Sequence, residues 1–474
     1  MPAAQFLHGV EVIEIDDGPR PIRTVRSSVI GIVGTAPDAD ATTFPLNTPV
    51  LIAGSRGEAA KLDTSVAQTR EGTLPNAVDL VLDQIGAVIV VIRVDEGADF
   101  AESAANVLGG VDGVTGAYEG VHALLGAQSI VGFQPRILIA PGFTSDRPTG
   151  VSGHGAITPG NSGANGTFAL AFTGGTGSGA EGTFTVSGGS LTAINITKSG
   201  RYTVAPSFSF AASAGLTGAA ATATLAAVAN PVVAELIGIA ERLKGVIVAD
   251  GPNDTDAKAI TYADDFGSRR VYVVDPAVKV ARGTNIVVEP ASSAVAGLIA
   301  KIDNDRGFWW SPSNQNINGI VGTARPIDFT LGDANSRANL LNEANVATII
   351  REDGFRLWGN RTLSSDPKFA FLSVVRTADI INDSILRAHL WAVDRNITKT
   401  YIDDVEESVN AYIRGLVAQG ALIGGRCFAD PDLNSPASIA EGKVWFNVDF
   451  TPPYPAEHII FRSRIVNDYL EDLV

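Results

Sequence analysis

The spacing of hydrophobic positions changes several times along the chain, and each change marks an element. Residues 10–15 alternate, with Val10, Val12, Ile13 and Ile15 interleaved with Glu11 and Glu14, which is a strand pattern. A breaker follows at Gly18, Pro19 and Pro21, and then the apolar run Val29-Ile30-Gly31-Ile32-Val33. Two prolines one residue apart prevent a tight hairpin between these strands. Residues 10–15 therefore read as an extended arm ahead of the folded body. Such an arm carries unpaired N–H and C=O groups, and a neighbouring subunit's sheet edge can satisfy them.

From there the period alternates between short apolar runs and helical spacing. Strands are predicted over 46–53, 87–94, 136–140, 245–250 and 270–275, and helices over 74–85, 120–127, 231–243, 255–266 and 291–305. Strand-then-helix repetition predicts an α/β layer with a largely parallel sheet. Residues 141–230 interrupt it with short alternating runs separated by Gly-rich turns, a small all-β insertion expected to project outward. Beyond residue 339 the pattern predicts a helix over 340–352 and a strand over 369–376. It predicts further helices over 377–395 and 401–418, the second ended by Gly420, and closing strands over 444–450 and 459–466. Pro452, Pro453 and Pro455 separate those last two strands, as Gly18, Pro19 and Pro21 do at the other end. The expected layout is an arm (1–22), an α/β middle domain (23–140 and 231–338), the β insertion (141–230) and a C-terminal α+β core domain with its own arm (339–474).

Composition narrows the partners. The 474 residues are 45% hydrophobic and 18% charged, with 50 glycines, which suits a turn-rich chain that buries much surface. A formal net charge of −16 disfavours non-specific binding to nucleic acid or anionic membranes. The single cysteine, Cys427, excludes an intrachain disulfide and a cysteine metal cluster. No signal-peptide pattern and no bilayer-length apolar run are present, so a soluble protein made in a cytoplasm is expected.

Enzyme signatures are weak. Residues 177–182 match G-x-G-x-x-G in letters, but a strand pattern rather than a helix follows. The five histidines are scattered. Asp250 and Asp275 each follow a predicted strand, where open α/β sheets bind ligands. Asp-Gly and Asp-Pro are also ordinary turn pairs, and no nucleophile or base accompanies them. Trp309-Trp310 suits a packing or interface anchor. Two alternatives stand beside a structural polymer: an α/β enzyme with an inserted β domain, and a surface adhesin using the 141–230 insertion.

Several stretches carry a resemblance. The N-terminal GVEVIEIDDGPRPIRTVRSSVIGIVGTAP, the FRLWGNRTLS of 355–364, the VNAY of 409–412, the GALIGG of 420–425 and the TPP–PAEHI–NDYL run of 451–470 resemble, in order, the contractile tail sheath proteins of myoviruses and R-type tailocins. About half of the chain is covered, and the insertion is not. The resemblance implies a non-enzymatic subunit without cofactors or metals. Such subunits form stacked hexameric rings, a helical polymer around a tail tube, bounded by baseplate and tail terminator, assembled in the host cytoplasm into the virion tail. Contraction then drives the tube through the target envelope. It implies that Val10, Val12, Ile13, Ile15, Ile459, Phe461 and Ile465 lie on strands donated between subunits, with Gly18, Pro19, Pro21, Pro452, Pro453 and Pro455 as hinges. Charge-based attachment to the tube makes Arg387, Arg395, Lys399 and Arg414 candidate tube contacts.

Overall fold

The structure is a computed structural model that describes residues 21–66 and 70–467. Its main element is a nine-stranded sheet in the order Val50–Ala53, Val88–Val94, Ile30–Thr35, Ile137–Ile139, Val246–Asp250, Val271–Val274, Val346–Arg351, Phe355–Trp358, Gln315–Asn316. The inner strands from Val88–Val94 to Val346–Arg351 all run parallel. The outer ones pair antiparallel. Inner strands such as Val246–Asp250 and Val271–Val274 are buried along their whole length, which is why they read as continuous apolar runs.

Two cores form on the two faces. One packs helices Leu74–Leu82 and Ala291–Asp305 on the sheet. The other packs Phe100–Leu108, Pro231–Leu243 and Asp256–Asp264. Helix starts follow the side-chain chemistry: Asn230 accepts from the Val232 and Val233 amides ahead of Pro231, and Thr255 caps the Lys258 amide.

Between Ile137–Ile139 and Pro231–Leu243 lie small antiparallel pairings. Thr176–Ser187 pairs with Ser190–Val204, and Thr149–His154 with Ala223–Ala227. They enclose a separate core of Leu170, Phe184, Val186, Leu191 and Phe210. Two further small sheets complete the mixed α/β architecture: Val278–Arg282 with Asn285–Glu289 and Ile320–Thr323, and Gly424–Ala429 with Phe446–Thr451.

Several expectations are corrected. The strand expected over 369–376 is the start of helix Leu372–Ala388. Leu372 to Thr377 are all buried, the polar Ser373, Arg376 and Thr377 included, so the helix begins without an exposed face and shows no 3.6-residue signature there. The helix expected over 340–352 divides into helix Arg337–Glu343 and strand Val346–Arg351, separated by Asn345 at φ 58°. The helix expected over 120–127 is a 3-10 segment, Gly120–Gly126, leading into Ala127–Val131. The sheet also runs on to Trp358, past the boundary expected at 338. Residues 459–466 pair with no strand among the described residues.

By compactness the described chain forms two units: residues 21–25 with 380–453, and residues 26–379 with 454–467.

Candidate functional site

In the smaller unit, helix Lys399–Ala418 precedes the two-stranded sheet. The register opposes Cys427 to Val448, and Asp430 N donates to Trp445 O at 3.0 Å. That bond fixes the alternation of an antiparallel pair. Cys427 and Val448 form a non-bonded pair, so their backbone groups point to the outer edges. Along Gly424–Ala429 the outer edge is occupied from within the chain. Asn410 Nδ2 donates to Cys427 O at 2.9 Å, and Asn410 Oδ1 accepts from Cys427 N at 2.8 Å. Glu406 Oε1 accepts from Ala429 N. Along Phe446–Thr451 the outward N–H and C=O groups belong to Phe446, Val448 and Phe450, and among the described residues nothing pairs with them. The sheet therefore has one edge capped at Cys427 and Ala429 and one open edge. Cys427 is buried between helix and strand, and burial pushes its thiol up to about 11.

The chain ends differ in how they are held. Val10, Val12, Ile13, Ile15, Gly18 and Pro19 lie outside the described residues. Pro21 is exposed, and just after it Thr24 Oγ1 meets Tyr412 Oη at 3.1 Å and Val25 N donates to Ser384 Oγ at 3.0 Å. At the other end Pro452 is buried and Pro455 half-buried. Residues 454–457 are fastened to the larger unit. Arg361 Nε donates to both Glu457 oxygens, at 2.8 and 3.0 Å. The guanidinium lies over the Phe371 ring at 5.1 Å, and Phe371 meets Tyr454 edge-on at 6.0 Å. This pairing holds the Arg361 pKa above its ordinary value. From His458 to Val466 every residue is exposed and none hydrogen-bonds to another described residue. Ile459 is 66% exposed, Phe461 90% and Ile465 99%.

Arg361 is itself rigidly based. Gly359 stands at φ 130°, and a Cβ there would come within 2.8 Å of Ala347 Cα. Its carbonyl accepts from Tyr272 Oη at 2.6 Å. Thr362 N donates to Ala370 O and Leu363 N to Val271 O. The WGNRTL stretch is thus tied to its surroundings by backbone hydrogen bonds and presents one arginine. Sequence reasoning singled out the stretch without finding the Arg361–Glu457 pair, which spans 96 positions and has no local signal.

The basic candidates are unequal. Arg387 pairs with Asp383 at 2.8 Å and Arg414 with Glu407. Arg395 lies over Trp391 at 5.0 Å, and neither it nor Lys399 has an ion-pair partner among the described residues. Beside them Leu386, Leu390 and Val393 are exposed.

The carboxylates of the enzyme alternative are structural supports. Asp250 Oδ1 accepts from Ser292 N at 2.7 Å, at the start of helix Ala291–Asp305, and Oδ2 accepts from the Ser292 and Thr144 hydroxyls. Burial nevertheless pushes its carboxyl up to about 6. Asp275 accepts from Asn253 N and from Arg325, and burial raises its pKa as well. Residues 177–182 lie inside the Thr176–Ser187 strand, with no helix following. Among the described residues no cluster of histidine, cysteine and carboxylate could hold a metal, and no helix is long and apolar enough to cross a membrane.

Comparison with known proteins places the chain. Residues 220–363 match the family model of the phage tail sheath protein central domain, and residues 364–466 that of the phage tail sheath C-terminal domain. A prophage major tail sheath protein of Pseudomonas aeruginosa (strain UCBPP-PA14) is 38% identical over 472 residues, 99% of each chain. The tail sheath protein of Escherichia phage P2 is 30% identical, covering 99% of this chain and 98% of that one. The fold is shared with the contracted sheath complex of an extracellular contractile injection system, PVC, at a TM-score of 0.59 and 15% identity, covering 98% of this chain and 99% of that one. It is shared equally with the contracted helical sheath of the anti-feeding prophage, at a TM-score of 0.58 and 16% identity, covering 97% and 99%. With two curated relatives at 30% identity or more along almost its whole length, the chain belongs to the phage tail sheath protein family and is a structural subunit of a tail sheath.

Proposed function

We propose that this subunit polymerises around a tail tube as stacked six-fold rings and contracts to drive that tube through a target envelope. The observation that carries the reading is a complementary pair within one chain. An open strand edge at Phe446, Val448 and Phe450 awaits a partner, and residues 459–466 expose Ile459, Ile460, Phe461 and Ile465 and pair with nothing among the described residues. An edge of this kind is the template for strand addition, and a second copy supplies the strand. Residues 10–15, alternating in the same way, are the second donated strand. Gly18, Pro19 and Pro21 join it to the body, with Pro452, Pro453 and Pro455 at the other end.

Contraction in this reading uses no nucleotide, cofactor or metal and no catalytic residue. Two arrangements of the same subunits differ in interface energy, and the donated strands keep neighbours connected while the bodies move. The names of the curated relatives support the sheath, and the fold shared with contracted sheaths supports the movement. The tube is met by Arg395 and Lys399, with Arg387 and Arg414 secondary because carboxylates already neutralise them. The nearly uncharged 141–230 insertion faces outward. Baseplate and tail terminator bound the polymer, which assembles in the host cytoplasm and resides in the tail.

Negative-stain microscopy of the expressed protein tests the reading directly: cylinders are expected. Deleting residues 1–17 is expected to leave a folded subunit that no longer polymerises. Cylinders of ordinary length from that truncation would sink the arm mechanism.

A further inference from the structure

The C-terminal prolines lead into the arm, and contacts hold the chain further along it. Pro452 is buried, and Pro455 lies between Tyr454 and Glu457, the two residues fastened to the body. Freedom begins only after Glu457. We infer that Arg361 is a positioning residue for assembly: its grip on Glu457 fixes the point from which the donated strand departs and so sets where on a neighbour it can land. This rests on the reading that residues 459–466 are donated to a second copy.

The geometry supports a built clamp over a chance surface pair. The guanidinium engages both carboxylate oxygens and is backed by the Phe371 ring, which in turn holds Tyr454. A planar fork on a carboxylate, stacked on an aromatic face, is directional where a lysine would not be. Arg361 stands on backbone anchored to the central sheet through Leu363 N and Val271 O at 3.0 Å. The clamp therefore registers the arm to the central sheet.

The consequence is a reach limit. The segment after Glu457 up to Val466 is nine residues, roughly 30 Å when extended. The neighbour's open edge must lie within that radius of Glu457. If the chain were free from Pro452 onward, the arm would gain about five residues of slack, roughly 15 Å. Its effective concentration at the edge would fall with the larger volume it explores. The clamp gives order before binding, so less freedom is lost when the strand pairs.

The test compares polymerisation of the full-length protein with Arg361→Ala, Glu457→Ala, the reversed pair Arg361→Glu with Glu457→Arg, and a chain ending at Glu457. Critical concentration is read by sedimentation, cylinder length by microscopy, and the fold of the dilute subunit by thermal unfolding. Each single substitution is expected to raise the critical concentration about three- to fivefold, the scale of one exposed bidentate pair, with little change in unfolding midpoint. The reversed pair is expected to return within about twofold of the native value. Unchanged polymerisation in both singles, or a reversed pair as defective as they are, overturns the clamp. If the chain ending at Glu457 polymerises normally, the donated-strand reading itself fails. If that chain is inactive while the singles behave as native, only the clamp fails.

Discussion

Val448→Pro separates strand donation from folding. Val448 opposes Cys427 in a non-bonded pair, so its N–H points to the open edge and makes no bond within the subunit. Proline removes that donor and fills the space with a ring, and an exposed edge tolerates both. Three outward residues, Phe446, Val448 and Phe450, offer up to three donors and three acceptors to an incoming strand. At about 0.5–1.5 kcal/mol net per bond, full pairing contributes roughly 3–9 kcal/mol per junction. Losing one donor also strands the carbonyl it would meet, at about 1–3 kcal/mol, and the ring obstructs the approach. The expected cost is about 2–4 kcal/mol, a rise in critical concentration of roughly thirty- to several hundredfold. Sedimentation across a concentration series measures it, and circular dichroism of the dilute subunit is expected to match the native protein. Asn447→Pro is the counterpart, since by the same alternation its N–H points inward and its loss disrupts the sheet itself. If Val448→Pro polymerises at the native concentration with its fold intact, the Phe446–Thr451 edge is not where strands add.

Other consequences concern the body. Asp250→Asn keeps an acceptor for Ser292 N and removes a buried charge. The folded carboxyl is raised from 3.8 to about 6, so its stabilising contribution is full below 3.8 and is lost as pH rises through about 6. Native stability should therefore carry a loss of up to about 3 kcal/mol from this group between pH 4 and pH 7, which the asparagine variant lacks in urea titrations. A variant destabilised equally at both pH values refutes this. Arg270→Ala leaves Asp379, buried beside it, without its cation and should cost about 3–5 kcal/mol in the same assay. Gly359→Ala forces a side chain against Ala347 at positive φ and should cost at least about 1–3 kcal/mol by thermal unfolding. Cys427, pushed up to about 11 and buried, should resist alkylation at pH 8 in the folded subunit and react once it is unfolded in urea.

What the sequence determined is what local pattern can encode. Val88–Val94 and Val246–Asp250 are legible because a strand buried on both faces is a continuous apolar run, and Ala291–Asp305 because its start and stop fall at a proline and at polar residues. The proline breaks around Pro21 and Pro452 are legible as breaks in the pattern. Where burial is complete the code becomes ambiguous, and the first turns of Leu372–Ala388 read as a strand. Tertiary structure alone decided which edge of the two-stranded sheet is open. That depends on Asn410 and Glu406 of the preceding helix reaching the backbone of Cys427 and Ala429, about twenty positions away. It alone decided where the C-terminal arm becomes free, because Arg361 and Glu457 are neighbours only after the sheet has brought them together. Both are pairings between residues distant in sequence, and no periodicity records them.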